Sequence, residues 1–331
     1  MIKKSRPTMR DVADACGVSQ SLVSIVFRNA PGASEETRRR VREAAEAIGY
    51  VPDERARVLR TTQSRDIGVS FLTNQPFHSR LLDELYSAID GTDYNLVLSA
   101  RSSSRDEVTA LKSLISYRCG AVVLLGATLS GEEISSVTAG VPVVSVAQRL
   151  EAPHEWVASD ETEGFEQAIG HLIELGHRDV LFASAPGSAG AGSREQTFKA
   201  VAKRLGISYR VESGGLSEEE GARLAEALLD DLPSSIIAFN DRAALGMIDL
   251  FIRRGVRVPE DVSIIGVDDS EVARRFYTQI TSIGQDTERM ARFAAEKAML
   301  RLQGIELESA PRGVLVPTWF VQRSTTGAAR R

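Results

Sequence analysis

The sequence predicts an α/β protein in which a small all-α helix-turn-helix unit precedes two doubly wound α/β lobes, and three observations carry that reading. Residues 8–24 spell a short helix, a tight turn and a second short helix whose first residues are small and polar. From Asp66 onward, continuous apolar segments alternate with amphipathic ones, and the alternation runs through twice. Parallel strands buried under helices on both faces produce that pattern. Charge divides at the same place: residues 1–65 hold 13 Lys and Arg against 8 Asp and Glu, and the remainder holds 27 against 37. A basic head on an acidic body expects a polyanion to meet the head alone.

A chain of 331 residues exceeds one ordinary domain. The expected boundaries are 1–51 for the helix-turn-helix unit, 52–65 for a connecting segment and 66–331 for the body. A composition 43% hydrophobic and 26% charged is that of a globular protein in water. No apolar run reaches the ~20 residues of a bilayer span. The basic start, Met1 to Pro7, has no apolar segment behind it, so neither a secretion signal nor a membrane partner is expected. A cytoplasmic setting follows, with Cys16 and Cys119 as buried small hydrophobes rather than a disulfide or metal pair.

In the head, Thr8 and Asp11 form a capping pair for the first helix. Val12, Ala13 and Cys16 lie on its apolar face. Gly17 supplies the positive φ that ends it. Val18 plugs the space between helices, and Ser19 caps the second helix. Leu22, Val23, Val26 and Phe27 turn inward, which leaves Gln20, Ser21 and Ser24 facing out. That is the geometry for pushing one helix end into a major groove. Ser34, Glu35 and Glu36 start a third helix, with acids where the dipole favours them. Thr37, Val41, Ala44, Ala45 and Ile48 form its inner side, and Gly49 ends it. The basic run Arg38, Arg39, Arg40 and Arg42 reads equally as a solvated face or as phosphate contacts. Asp53 to Arg60 make one or two helical turns after Pro52, too short to be stable alone in water. Thr61 to Ser64 read as a linker.

The body's expected strands are 67–72, 95–98, 120–125 and 141–146, then 180–183, 236–239 and 262–267. Helices are expected over 81–89 and 108–115, and again between the later strands. Two such sets imply two lobes with a cleft where the strand carboxyl ends face each other. Gly187 to Gly192 is glycine-rich but lacks the Lys-Ser/Thr of a P-loop, so a plain loop is expected. His78, His154, His171 and His177 are scattered, with His177 in a turn after a helix. No Ser-His-Asp set and no clustered metal ligands are visible, so no enzyme activity, metal or cofactor is expected.

Asp11-Val12-Ala13, Ala15-Cys16-Gly17-Val18-Ser19, Val23-Ser24, Ser34, Thr37-Arg38, Val41, Ala44, Tyr50, Pro52, Ala56-Arg57 and Leu59 resemble the lactose-repressor (LacI/GalR) family of bacterial transcriptional regulators. The body resembles it too, through His171 to Arg178, Asn240-Asp241, Gly255 to Asp269, Thr281 to Ile283 and Arg323 to Thr325. The resemblance implies a body of periplasmic-binding-protein type around a small-molecule effector, a sugar or related metabolite. It also implies a homodimer on a near-palindromic double-stranded DNA operator, and a hinge helix within 52–65 whose Leu59 wedges into the duplex. DNA contacts are then expected from Thr8, Ser19, Gln20, Ser21, Ser24, Ile25, Arg28, Arg55, Ala56 and Leu59. Effector contacts are expected from Phe77, Asp160, Arg194, Asn240 and Asp268. Carboxylate, amide and guanidinium groups suit hydroxyls, and an aromatic suits an apolar ring face. The chain departs from the family at Ile25 (usually Arg), Leu22 (Thr), Arg28 and Asp53 (Asn), Ala147-Gln148 (Asp-Arg or Gly-Arg) and Glu161 (Asn). A ligand-binding receptor without regulatory DNA binding is the rival reading. It predicts a secretion signal and no basic head.

Overall fold

The computed structural model describes residues 7–27, 30–50, 64–305 and 311–330. Its contacts divide the chain into two units, Met1–Gln63 and Ser64–Arg331.

Three helices build the first unit: α1 (Met9–Cys16), α2 (Gln20–Phe27) and α3 (Glu35–Ile48). Thr8 caps α1 through the Asp11 amide, and Asp11 reaches back to the Thr8 amide. Gly17, at φ 65°, turns the chain out of α1, a conformation that costs a residue with a Cβ more. Val12, Ala13, Cys16, Val23, Val26, Val41 and Ala45 form the core, with Val18 and Phe27 against it. Arg38 is buried, and its guanidinium donates to the Ala30 carbonyl at 2.5 Å. Arg40 donates to the Cys16 carbonyl at 2.8 Å, at the C-terminal end of α1. Arg39 sits between Glu36 and Glu43. Three of the four arginines in the basic run are therefore engaged within the head.

The second unit opens with β1 (Asp66–Leu72), α4 (Pro76–Ile89), β2 (Asn95–Arg101), α5 (Glu107–Ser116), β3 (Ala121–Leu125), α6 (Gly131–Thr138), β4 (Val143–Val146) and β5 (Glu155–Asp160). It continues with α7 (Thr162–Glu174), β6 (Asp179–Ser184), α8 (Ala191–Leu205), β7 (Ser208–Ser213), α9 (Glu218–Ala227), β8 (Ser235–Ala238), α10 (Asp241–Arg253), β9 (Ser263–Asp268) and β10 (Thr281–Gln285). Helix α11 (Thr287–Leu302) and β11 (Gly313–Val321) close it. The strand order is β2-β1-β3-β4-β5-β11-β10-β9-β8-β6-β7.

One lobe carries β1 to β5 and the other β6 to β10. In the first, Ala121, Val123 and Leu125 point into a core shared with α4 and α11, while Val122 and Leu124 point the other way. In the second, Phe165, Phe182 and Phe198 cluster on one face and Met247, Ile248 and Phe251 on the other. Both sheets are thus covered on both sides, which is why their central strands read as unbroken apolar runs.

The chain passes between lobes three times: after β5, after β10 and within β11. Residues Gly313 to Pro317 run parallel to β5, and Thr318 to Val321 run antiparallel to β10. Pro317, which has no amide proton to donate, stands where the strand changes partners. Cys16 and Cys119 are both buried and free. His177 is buried, with ring contacts to Ser234, Ser263 and the Gly327 carbonyl, so it ties the chain's last segment to the second lobe.

Candidate functional site

On the head, α2 exposes Gln20 and Ser21 on its first turn while Val23 and Val26 are buried. The Ser19 hydroxyl accepts from the Leu22 amide at 3.2 Å and lies 2.8 Å from the Ser21 hydroxyl. Gln20 is exposed beside these serines, with its amide on the outer face of the first turn. Ser24 is half-buried. Ile25 is half-buried too and faces the Gly32 turn, its Cδ1 3.8 Å from where a Gly32 Cβ would stand. The Thr8 hydroxyl is held by the Asp11 carboxylate at 2.7 Å. Arg28, Arg55, Ala56 and Leu59 lie outside the described residues, as does the part of the expected hinge segment up to residue 63.

In the body, a cavity of about 130 Å³ lies between the lobes. Strand carboxyl ends supply its wall: Leu72 at the end of β1, Gly126 after β3, Ala147 after β4, Phe239 and Asn240 after β8, Asp268 at β9 and Gln285 at β10. Phe77, Arg194, Asn240 and Asp268 all line it. Asp160 does not. Its carboxylate accepts from the Thr162 amide at 3.2 Å, a local turn that starts α7, and the next residue, Glu161, occupies the cavity wall instead.

Arg194 does not bridge to Asp268 either. Its Nε donates to Glu161 at 2.6 Å and its Nη1 to the Phe239 carbonyl at 2.7 Å, with the guanidinium 4.5 Å from the Phe239 ring centre. Gln285 donates to one Asp268 oxygen at 2.6 Å and accepts from Ser159. Asn240 is committed locally. Its Oδ1 caps α10 at the Ala243 amide and its Nδ2 donates to the Leu216 carbonyl.

Backbone strain collects at the same place. Asp268 and Asp269 have φ of 108° and 47°, and Ala147 has 69°. Non-glycine residues adopt such values only where the surroundings enforce them. Here they turn the Asp268 carboxyl into the cleft.

Burial drives the Asp268 carboxyl up to about 8, with Arg194 opposing and Asp241 adding to the rise. Burial also raises Glu161 despite its bond to Arg194. His78 is pushed down to about 3 by burial and by the Arg101 charge, so it is neutral. Its Nδ1 accepts from the Leu72 amide at 3.0 Å, which leaves the proton on Nε2 at the cavity wall. Gly126 is required beside it: at φ 68°, an added Cβ would stand 2.9 Å from Nε2.

The lobes also touch directly around the cavity. Gln148 accepts from the Gly190 amide at 2.7 Å, at the start of α8. Arg80 donates to the Asp269 carbonyl at 3.0 Å and Arg242 to the Asn74 carbonyl at 2.5 Å. The sequence reading missed Glu161, Gln285, His78 and the loop Gly187 to Gly190 as cavity residues. The departures at Gln148 and Glu161 were the signals that could have found two of the cleft positions. Among the described residues no group of acidic, His and Cys side chains is arranged to hold a metal ion.

The pattern described as bacterial regulatory proteins, lacI family, matches residues 8–53. A periplasmic binding protein-like domain matches residues 169–326. The HTH-type transcriptional regulator CelR of Thermobifida fusca is 29% identical over 320 residues, 92% of this chain and 94% of CelR. The crystal structure of a LacI transcriptional regulator from a Rhodococcus species is 36% identical, with a TM-score of 0.75 over 80% of this chain and 99% of that one. The lac repressor dimer bound to operator and the anti-inducer ONPF is 25% identical, with a TM-score of 0.81 over 98% of this chain and 100% of that one.

Proposed function

The chain belongs to the lacI family of bacterial regulatory proteins, and from that premise we propose that it is a sequence-specific DNA-binding transcriptional repressor whose grip on its operator is set by a small molecule in the interlobe cavity. One observation carries the proposal: the same chain holds a helix-turn-helix head with a polar, exposed first turn on α2 and a body with a polar cavity at its strand ends. The lac repressor structure that it resembles holds both an operator and an anti-inducer. The protein acts as a homodimer in the cytoplasm, each head taking half of a near-palindromic site. It catalyses no reaction. Among the described residues no helix is long and apolar enough to cross a membrane.

Gln20 and Ser21 read base edges from the helix start, with the Gln20 amide suited to adenine. Ser19 and Ser24 flank them, and Thr8 meets a phosphate at the start of α1. Ile25 meets a thymine methyl, Arg28, Arg55 and Ala56 meet the duplex, and Leu59 wedges into the central step. Phe77, Arg194, Asn240 and Asp268 hold the effector. Whatever weakens DNA binding is itself bound more weakly on DNA, because the coupling is reciprocal.

Genome-wide mapping of bound DNA, followed by gel shifts on the mapped fragments, tests this. The full chain is expected to prefer those fragments over random duplex. Gln20→Ala should change base preference at one half-site position, and Leu59→Ala should weaken specific binding more than nonspecific binding. Equal affinity for mapped and random DNA refutes the reading.

A further inference from the structure

The cavity lining holds two carboxyl groups and one cationic side chain. Glu161, Arg194 and Asp268 are each no more than 8% exposed and all line it. Arg194 is the sole Lys or Arg among the lining residues, and His78 beside it is neutral. Two lining carboxyl groups therefore meet one lining guanidinium, and the Arg149 charge adds to its pull on Glu161. That guanidinium is already turned to Glu161 and the Phe239 carbonyl.

Each carboxyl keeps an open oxygen. Glu161 uses Oε1 for Arg194, and Asp268 uses Oδ1 for Gln285. Among the described residues Glu161 Oε2 and Asp268 Oδ2 take no hydrogen bond. Both oxygens open on the cavity, where a ligand's donors can reach them. The φ of 108° at Asp268 shows that the fold accepts strain to keep that carboxyl in the cleft. An anionic ligand would meet two carboxyls and a guanidinium already taken. A neutral polyol would satisfy the open oxygens but bring no cation to either carboxyl.

We propose that the ligand of this cavity carries a protonated amine on a small hydroxylated frame, the chemistry of an amino sugar, with the ammonium held between Glu161 and Asp268. The proposal rests on the reading of the cavity as the effector site. Three donors of one ammonium match the two open oxygens and leave one for a hydroxyl or carbonyl on the wall. Phe77 lines the same cavity and suits the frame's apolar side. Binding brings a cation against Asp268, so it favours the ionised carboxylate and releases a proton. The charged groups around that carboxyl are Arg194 on α8, Asp241 at the start of α10 and Glu161 after β5.

The test is isothermal titration of the full chain with glucosamine, galactosamine and mannosamine, each beside its parent hexose, its N-acetyl form and the matching uronic acid. At least one free amine is expected to bind roughly tenfold or more tightly than its neutral and anionic partners. Repeating the titration in buffers of different ionisation enthalpy should show proton release. Asp268→Asn and Glu161→Gln should each weaken amine binding by about tenfold, with cooperative melting showing that the variants are folded. A neutral hexose that binds as tightly as its amine, or a uronic acid that binds more tightly, overturns the proposal. If such a ligand also shifts operator affinity, the effector reading stands without the amine. Binding by no amine of the set overturns the proposal as well.

Discussion

Asp268 makes the cavity a measurable feature of the folded chain. A free aspartate sits near 3.8, and here burial lifts it to about 8. Between those values the folded protein holds a proton that the unfolded chain has lost. Stability therefore falls as pH rises from about 4 through about 8. Asp241, pushed to about 6, acts in the same direction at the lower end of that window. The body should melt at lower temperature near pH 8.5 than near pH 6, by roughly 2–4 °C for each kcal/mol lost in a unit of this size. Asp268→Asn should flatten the upper part of that fall, and an unchanged pH profile in the variant would show that Asp268 is not the titrating group. Little of this was visible in the residue string. Asp160 and Glu161 are adjacent acids, and only the backbone turn at Thr162 decides which one faces the cavity. Phe77, Arg194, Asn240 and Asp268 were expected from the family resemblance; of these, Asn240 follows β8 and Asp268 ends β9, and strand carboxyl ends converge in doubly wound sheets.

At the scale of elements, helix caps were the easiest features to read, because a cap is a local interaction. Thr8 with Asp11, Ser34 and Gly49 act as their residue types dictate. Ser34 accepts from the Thr37 amide at 3.2 Å and starts the longest helix of a head whose core is seven small and medium side chains. Ser34→Ala should cost about 1 kcal/mol. Amide hydrogen exchange should then quicken roughly fivefold across α1 to α3, and unchanged exchange would mean the cap is redundant. Strands divide differently. Strands β1 to β4, β6, β8 and β9 were legible as apolar runs, whereas the central β5 and β10, which mix in polar residues, were not. Strand β7 was not, because it is an edge strand with exposed Ser208, Tyr209, Glu212 and Ser213. Strand β11 was hidden by Pro317, which argues against a central strand wherever one ladder runs its whole length. The rule fails here because this strand serves two ladders in turn.

For the whole molecule the net charge of -5 is misleading, since the acidic excess belongs to the body and the basic excess to residues 1–65. If the head alone meets DNA, binding to random duplex must weaken with salt despite the negative total. The logarithm of affinity should fall with the logarithm of salt concentration by about 0.9 for each phosphate neutralised. A binding curve that is flat or rises between about 50 and 200 mM salt would contradict a phosphate-gripping head. The packing of the head refines this expectation. Arg38 and Arg40 hold the Ala30 and Cys16 carbonyls, and Arg39 is paired with Glu36 and Glu43, whereas Arg42 is exposed. Arg42→Gln should therefore lower the salt slope by about 1 per contacting head. Arg38→Gln should leave the slope unchanged and instead destabilise the head by roughly 1.5–3 kcal/mol, the range for a hydrogen bond to a charged group. Filter binding at several salt concentrations, with a thermal melt of each variant, separates the two. If Arg38→Gln flattened the slope while the head stayed folded, the division of the arginines between internal bracing and DNA contact would be wrong.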